Sequence, residues 1–299
     1  MAYRSRPAAR RRTYRKKAAP RRRYAVKKRT YRKKTSRRSL LNVTSRKKRN
    51  GMLSFSSTPV NGGINTIPVL NAAYVVAGLG PQTFLWNATA QSLDATSVIP
   101  NQASRTATNC FMKGLSEHLR ISTSTGLPWF HRRICFTSKR TYEPAVNPGA
   151  TVPRTTFFDT TSGIERLWFN ISRNNDSADE QTLYGFLFRG VLNQDWTDPI
   201  IAPVDPTRVT KMFDRTWVYK SGNQVGTHRE HKLYHSMEKS LIYDDDEAGE
   251  QELQSYYSTT AKPGMGNFFV VDIFSALAGG TSADVLKCDS NSTLYWHEK

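Results

Sequence analysis

The sequence predicts an all-β body, an antiparallel sandwich or barrel with long loops, preceded by a disordered basic arm. Three observations carry this. Short runs of alternating or wholly apolar residues recur from about Leu53 onwards. Turn-rich segments separate them, and helical periodicity is scarce. Nearly all the surplus positive charge precedes residue 51.

The strand readings follow in chain order. Leu115, Leu119 and Ile121 alternate with Ser116, His118, Arg120 and Ser122, the period of a half-buried strand. Phe130, Ile134 and Phe136 fall on one parity, against His131, Arg133 and Cys135 on the other. Arg166–Ile171, Thr182–Arg189 and Thr216–Lys220 are further aromatic and β-branched runs. The stretch Asn267–Phe274 is apolar on both parities, as in a strand buried on both faces, and Thr293–His297 reads as a last short strand. Tyr142–Pro153 and Asn193–Pro206 each hold three prolines and read as loops, with an acidic turn at Asp244–Gly249.

Charge divides the chain in two. The 299 residues carry 44 Lys and Arg against 24 Asp and Glu, and 23 of those basic residues lie in 1–50, before the first acid at Asp94. Residues 51–299 hold 21 basic and 24 acidic residues, a net charge of −3. The organisation expected is therefore an arm, 1–50, and a body, 51–299.

The arm reads as a nucleic-acid binder. Its cations are Arg4, Arg6, Arg10, Arg11, Arg12, Arg15, Lys16, Lys17, Arg21, Arg22, Arg23, Lys27, Lys28 and Arg29, followed by Arg32, Lys33, Lys34, Arg37, Arg38, Arg46, Lys47, Lys48 and Arg49. Like charges at this density repel, and too little apolar surface offsets the entropy of folding. Each cation that neutralises a phosphate releases a counterion, so binding is salt-dependent and indifferent to sequence. Tyr3, Tyr14, Tyr24 and Tyr31 stand among the charges, and such rings stack on the bases of a single strand. Thr-Tyr-Arg-Lys-Lys occurs twice, at 13–17 and 30–34. Arg10–Arg12 with Arg15–Lys17 also matches a nuclear-localisation pattern, which makes nuclear import receptors expected partners.

Several classes are disfavoured. No run of 18 apolar residues is present, so no membrane insertion is expected, and the basic N-terminus lacks the apolar stretch of a signal peptide. Cys110, Cys135 and Cys288 match no zinc spacing and read as ordinary thiols. No phosphate-binding Gly loop, G-x-S-x-G or HExxH motif occurs, so catalysis, cofactors and a metal are not expected. His228, His231 and His235 would share a face on a helix. The surrounding sequence reads as a strand, which turns His228 away from the other two. Asp244–Glu247 reads as a solvated acidic turn, with a cation or a neighbouring subunit as alternatives.

The assembled features resemble the capsid proteins of genomoviruses, which enclose small circular single-stranded DNA. The stretches that carry the resemblance are Arg46–Met52, Pro128-Trp-Phe-His-Arg-Arg-Ile-Cys-Phe136, Ser221-Gly-Asn-Gln-Val-Gly226, Leu241–Gly249, Met265–Phe274 and Leu294–Lys299. Asn267 departs from it, since an acid is expected there. The resemblance implies a single jelly roll that self-assembles into an icosahedral T=1 shell of sixty copies, packages circular single-stranded DNA, and is found in the virion and the host nucleus. Two alternatives share the arm: a viral nuclear shuttle or movement protein, and a cellular basic nucleic-acid-packaging protein. The latter usually spreads positive charge over its folded surface, whereas this body is slightly acidic.

Overall fold

The computed structural model describes residues 36–65, 67–93, 103–142, 155–174 and 177–298. A short helix, α1 (Arg37–Thr44), precedes the first strand. The strands are β1 (Arg46–Met52), β2 (Ser54–Ser56), β3 (Val69–Leu70), β4 (Ala73–Val76), β5 (Gln82–Asn87), β6 (Asn109–Thr123), β7 (Trp129–Ser138), β8 (Phe158–Thr160) and β9 (Gly163–Asn170). Helices α2 (Ile171–Asn174) and α3 (Ser177–Leu187) follow. The remaining strands are β10 (Thr210–Tyr219), β11 (His228–Ile242), β12 (Asp246–Ala248), β13 (Gln251–Leu253), β14 (Asn267–Ala276) and β15 (Val285–Glu298).

Two large sheets form the sandwich. Sheet one runs β1-β15-β6-β11, and β4 joins the same edge of β15 beyond β1. Sheet two runs β10-β7-β14-β5-β9-β2-β3. Take β4, β5, β6, β7, β10, β11, β14 and β15 as eight strands in chain order. Sheet one then holds them as first, eighth, third, sixth; sheet two as second, seventh, fourth, fifth. Their pairings are all antiparallel. This interleaving is the jelly roll.

The connections sort by length to opposite ends. Residues 77–81, 124–128, 220–227 and 277–284 make short turns at one end. The long ones, from β5 to β6, β7 to β10 and β11 to β14, leave from the strand ends opposite. Two of the short turns interlock: Gly126 N–H donates to the Gln224 carbonyl at 3.2 Å. A Cβ on Gly226 would lie 1.8 Å from the Thr123 carbonyl, so only glycine closes the Ser221–Gly226 turn here.

Within the long connection from β7 to β10, α3 and the segment that follows it cover the outer face of sheet two. Leu183, Leu187 and Phe188 are buried with Leu85, Ile134, Phe136, Val271 and Ile273, and Tyr184 Oη meets Thr83 Oγ1 at 2.6 Å. Sheet two is thus buried on both faces, which is why β14 shows no alternation of burial.

Two expectations need correction. Thr182–Arg189 is not a strand: most of it belongs to α3, whose buried Leu183, Tyr184, Leu187 and Phe188 form a helical stripe. The arm does not extend to residue 50, because Arg46–Met52 is β1, paired residue for residue with Glu298–Ser292. The last strand also begins eight residues before Thr293.

Candidate nucleic-acid interface

The arm residues from Arg4 to Lys34, with Tyr3, Tyr14, Tyr24 and Tyr31, lie outside the described residues. Arg37 and Arg38 open α1. Arg46, Lys47, Lys48 and Arg49 sit on β1, and strand alternation divides them.

Lys48 points into the sandwich and is removed from the nucleic-acid set. Its Nζ lies 3.1 Å from Glu298 Oε2 and donates to the Ser104 carbonyl at 2.7 Å and to Thr106 Oγ1 at 3.2 Å. Glu298 also accepts from Trp296 Nε1 at 2.8 Å and from Thr106 Oγ1 at 2.7 Å. Burial alone would raise the Glu298 pKa, but these donors and the Lys48 charge hold it below the usual carboxylate range. Both side chains are almost wholly buried, so a phosphate cannot reach this cation. Lys47 and Arg49 face the other way and are exposed; Arg46 is exposed at the strand end. Beside Arg49 a cleft of about 840 Å³ opens, lined also by Ser104, Thr293 and the Asp159–Gly163 turn.

The acidic turn is solvated only in part. Asp244, Asp246 and Glu247 are exposed, but Asp245 makes a two-pronged ion pair with Arg105, with Nη2 donating to Oδ1 at 2.6 Å. Ser255 N–H adds a bond at 2.8 Å, and the Arg105 guanidinium lies 3.9 Å from the Tyr243 ring centroid. Burial would raise the Asp245 pKa; the bonds from Arg105 and Ser255 lower it below the usual value. The three histidines separate as the strand reading requires, with His228 on the outer face of β11 and His231 and His235 on the inner. Asn267 Oδ1 accepts from Ser258 N–H at 2.8 Å, while its Nδ2 is buried without a hydrogen-bond partner among the described residues.

Sequence reasoning missed a buried charge network between the sheets. Arg133 on β7 grips Asp272 on β14, with Nε to Oδ1 at 2.7 Å and Nη2 to Oδ2 at 2.9 Å, and its Nη1 donates to Glu117 on β6. Arg166 on β9 reaches Asp272 Oδ2 at 2.9 Å and Glu117 Oε1 at 3.3 Å, its guanidinium 3.6 Å from the Trp168 ring centroid. Ser292 on β15 donates to Glu117 Oε1 at 3.0 Å. His131 bonds Asp272 at 2.8 Å and Tyr219 Oη at 3.1 Å, and Tyr219 Oη in turn meets His231 Nε2 at 3.0 Å. Two guanidinium groups balance two carboxylates, so the buried charge closes to zero.

The pKa shifts agree with that balance. Burial would raise Asp272 and Glu117, yet Arg133 and its neighbours hold both below the usual carboxylate range. Burial lowers the His131 pKa against the opposing pull of Asp272, and burial with the Arg133 charge takes His235 down to about 4. The network ties sheet one, through Glu117, Ser292 and His231, to β7, β9, β10 and β14 of sheet two. It lies far from the bulk of the basic charge in sequence and serves the fold. Its polar members occupy the β7 parity that faces the sandwich interior.

Fold and site together define a jelly-roll β-sandwich whose basic N-terminal segment enters through the edge strand β1. No family model matches the chain, and no curated protein does. Among solved structures, VP1 of Trichodysplasia spinulosa-associated polyomavirus aligns at 10% identity and a TM-score of 0.12, covering 81% of each chain. The same protein in complex with 3'-sialyllactose aligns at 10% identity and a TM-score of 0.12, covering 85% of this chain and 92% of that one. Similarity at this level carries no weight; the fold class rests on strand order. Among the described residues no helix is long and apolar enough to cross a membrane.

Proposed function

We propose that this chain is the coat protein of a small single-stranded DNA virus of the genomovirus kind. It assembles with copies of itself into a closed icosahedral shell, sixty in number, and packages a circular genome through its basic arm. The observation that supports this best is the combination of a nearly neutral jelly-roll body with a polycationic segment confined to one end of the chain. A body that contacts its own copies needs no basic surface; an arm that neutralises phosphates needs little else. The same arm would engage import receptors and carry the protein to the host nucleus. Its role is structural rather than catalytic.

The test is direct. Purified protein should give uniform particles by electron microscopy, containing nuclease-sensitive single strands on the order of 1,000–3,000 nucleotides, since arm charge and phosphate number match loosely. Monomers or dimers under all assembly conditions, or particles filled with duplex, would sink the reading.

A further inference from the structure

The two outer sheet faces differ. That of sheet two is roofed by α3 and the segment around Trp196, whereas that of sheet one carries no covering layer among the described residues. We infer that this bare face is a second binding surface for single-stranded nucleic acid, beginning at β1; the inference rests on the genome-packaging role just proposed.

The argument starts at β1. Because Lys48 turns inward, its neighbours Lys47 and Arg49 must turn outward, onto the open face. Register then extends the surface across the sheet. Lys47 lies level with His297 on β15 and Phe111 on β6, and Arg49 lies level with Tyr295. Two rows further along, Ser116 pairs with Tyr234 on β11, and His118 pairs with Lys232. Arg120 follows. Cations and rings are therefore interspersed from β1 to the far edge at β11, a diagonal of about 25 Å at ordinary strand spacing. Tyr234 is 57% exposed and Phe111 36%, unusual for rings on a solvated sheet.

Charge favours a polyanion. Of the acids on this face, Glu238 pairs with Lys113 and Asp289 with Lys287 at 3.1 Å, while Glu230 lies within hydrogen-bonding reach of His118 at 3.3 Å and His228 at 3.5 Å and is outnumbered by the remaining cations. Lys47, Arg49, Arg120 and Lys232 have no ion pair among the described residues. Unpaired cations interleaved with exposed rings suit a strand whose phosphates and bases are both accessible. A duplex hides its base faces and would use the cations alone.

The experiment uses the full chain and an oligothymidylate carrying 5-iododeoxyuridine. Replacing Arg49, Arg120 and Lys232 together by Gln should make the slope of log affinity against log salt shallower by about 2, since each phosphate contact on a single strand contributes about 0.7. Tyr234→Leu should lower affinity about tenfold with the slope unchanged, because stacking releases no counterion. Photo-crosslinks should fall on Tyr234 and Phe111. The control replaces Lys211, Arg215 and Lys220, exposed cations of β10 and the turn after it, and should leave the slope as it was. Crosslinks confined to residues before Arg46, or equal losses in both triple variants, would overturn the inference while leaving the arm as the binding site. Failure of the unaltered chain to bind any single strand would instead overturn the packaging role itself.

Discussion

Arg133 and Asp272 face each other across β7 and β14, joined by two parallel hydrogen bonds of 2.7 and 2.9 Å inside the sandwich. Glu117 and Arg166 complete the set. Asp272→Asn removes one of the network's two anions and leaves a guanidinium uncompensated, which costs roughly 3–5 kcal/mol. Asp289→Asn breaks an exposed pair with Lys287 and should cost under about 1 kcal/mol. Urea denaturation of the unassembled subunit reads both. Equal small effects would show that the network is not a stabilising tie.

The same cluster gives stability a pH dependence. His235 has a pKa near 4 when folded, against an ordinary value of about 6.5. Its contribution is complete above about pH 6.5 and is lost as pH falls from there towards 4, because the unfolded chain takes up the proton first. Asp272 and Glu117, held below the usual range, add a second loss below about pH 4. A melting curve against pH should therefore decline in two stages. His235→Leu should flatten the first stage by up to about 3 kcal/mol, with His131, His231 and His297 sustaining the remainder. An unaltered first stage would mean that His235 titrates normally.

The body's strands were legible where one face is wet. Leu115, Leu119 and Ile121 alternate with exposed His118 and Arg120, and β6 lies where the period puts it. Legibility failed where tertiary context reversed the usual meaning of polarity. His131 and Arg133 point into the core, while Ile134 and Phe136 face the covering layer, so the charged parity of β7 is the inner one. The aromatic content of Thr182–Arg189 suggested a strand, although Leu183, Tyr184, Leu187 and Phe188 were spaced for a helix. The four charged members of the buried network come from four strands, and only the topology brings them together. At the arm's end, Lys48, Asn50 and Met52 alternate with Lys47, Arg49 and Gly51; the density of charge masked that period.

Lys48 and Glu298 fasten the first strand to the last. Glu298→Gln should destabilise the body by about 3 kcal/mol, because the ammonium stays buried with neutral acceptors only. Lys48→Met should cost less, since Thr106 and Trp296 still donate to the carboxylate. The double variant should recover most of the loss. Additive effects in a double-mutant cycle would mean that the two charges do not interact.

The position of β1 separates two functions that share the basic cluster at 46–49. Of the 23 cations in residues 1–50, 19 precede Arg46. Deleting residues 1–45 should therefore lower affinity for single strands by orders of magnitude and flatten the salt dependence, while the melting temperature stays within a few degrees. Deleting seven more residues, through Met52, adds only four cations to the loss but strips β1 from the sheet. The edge of β15 from Ser292 to Glu298 would then stand open, Glu298 would lose its buried cation, and Trp296 and Leu294 would lose their cover. That shorter chain should aggregate or melt far below the first. Deletion to residue 49 falls between, keeping Asn50 and Met52 but removing Lys48, and should resemble the longer deletion in stability. Binding assays and melting curves on the three truncations distinguish the roles. If all three fold equally well, β1 is dispensable to the sandwich. If the first still binds single strands as the full chain does, the arm is not the main source of affinity, and the open face of sheet one is left to account for it.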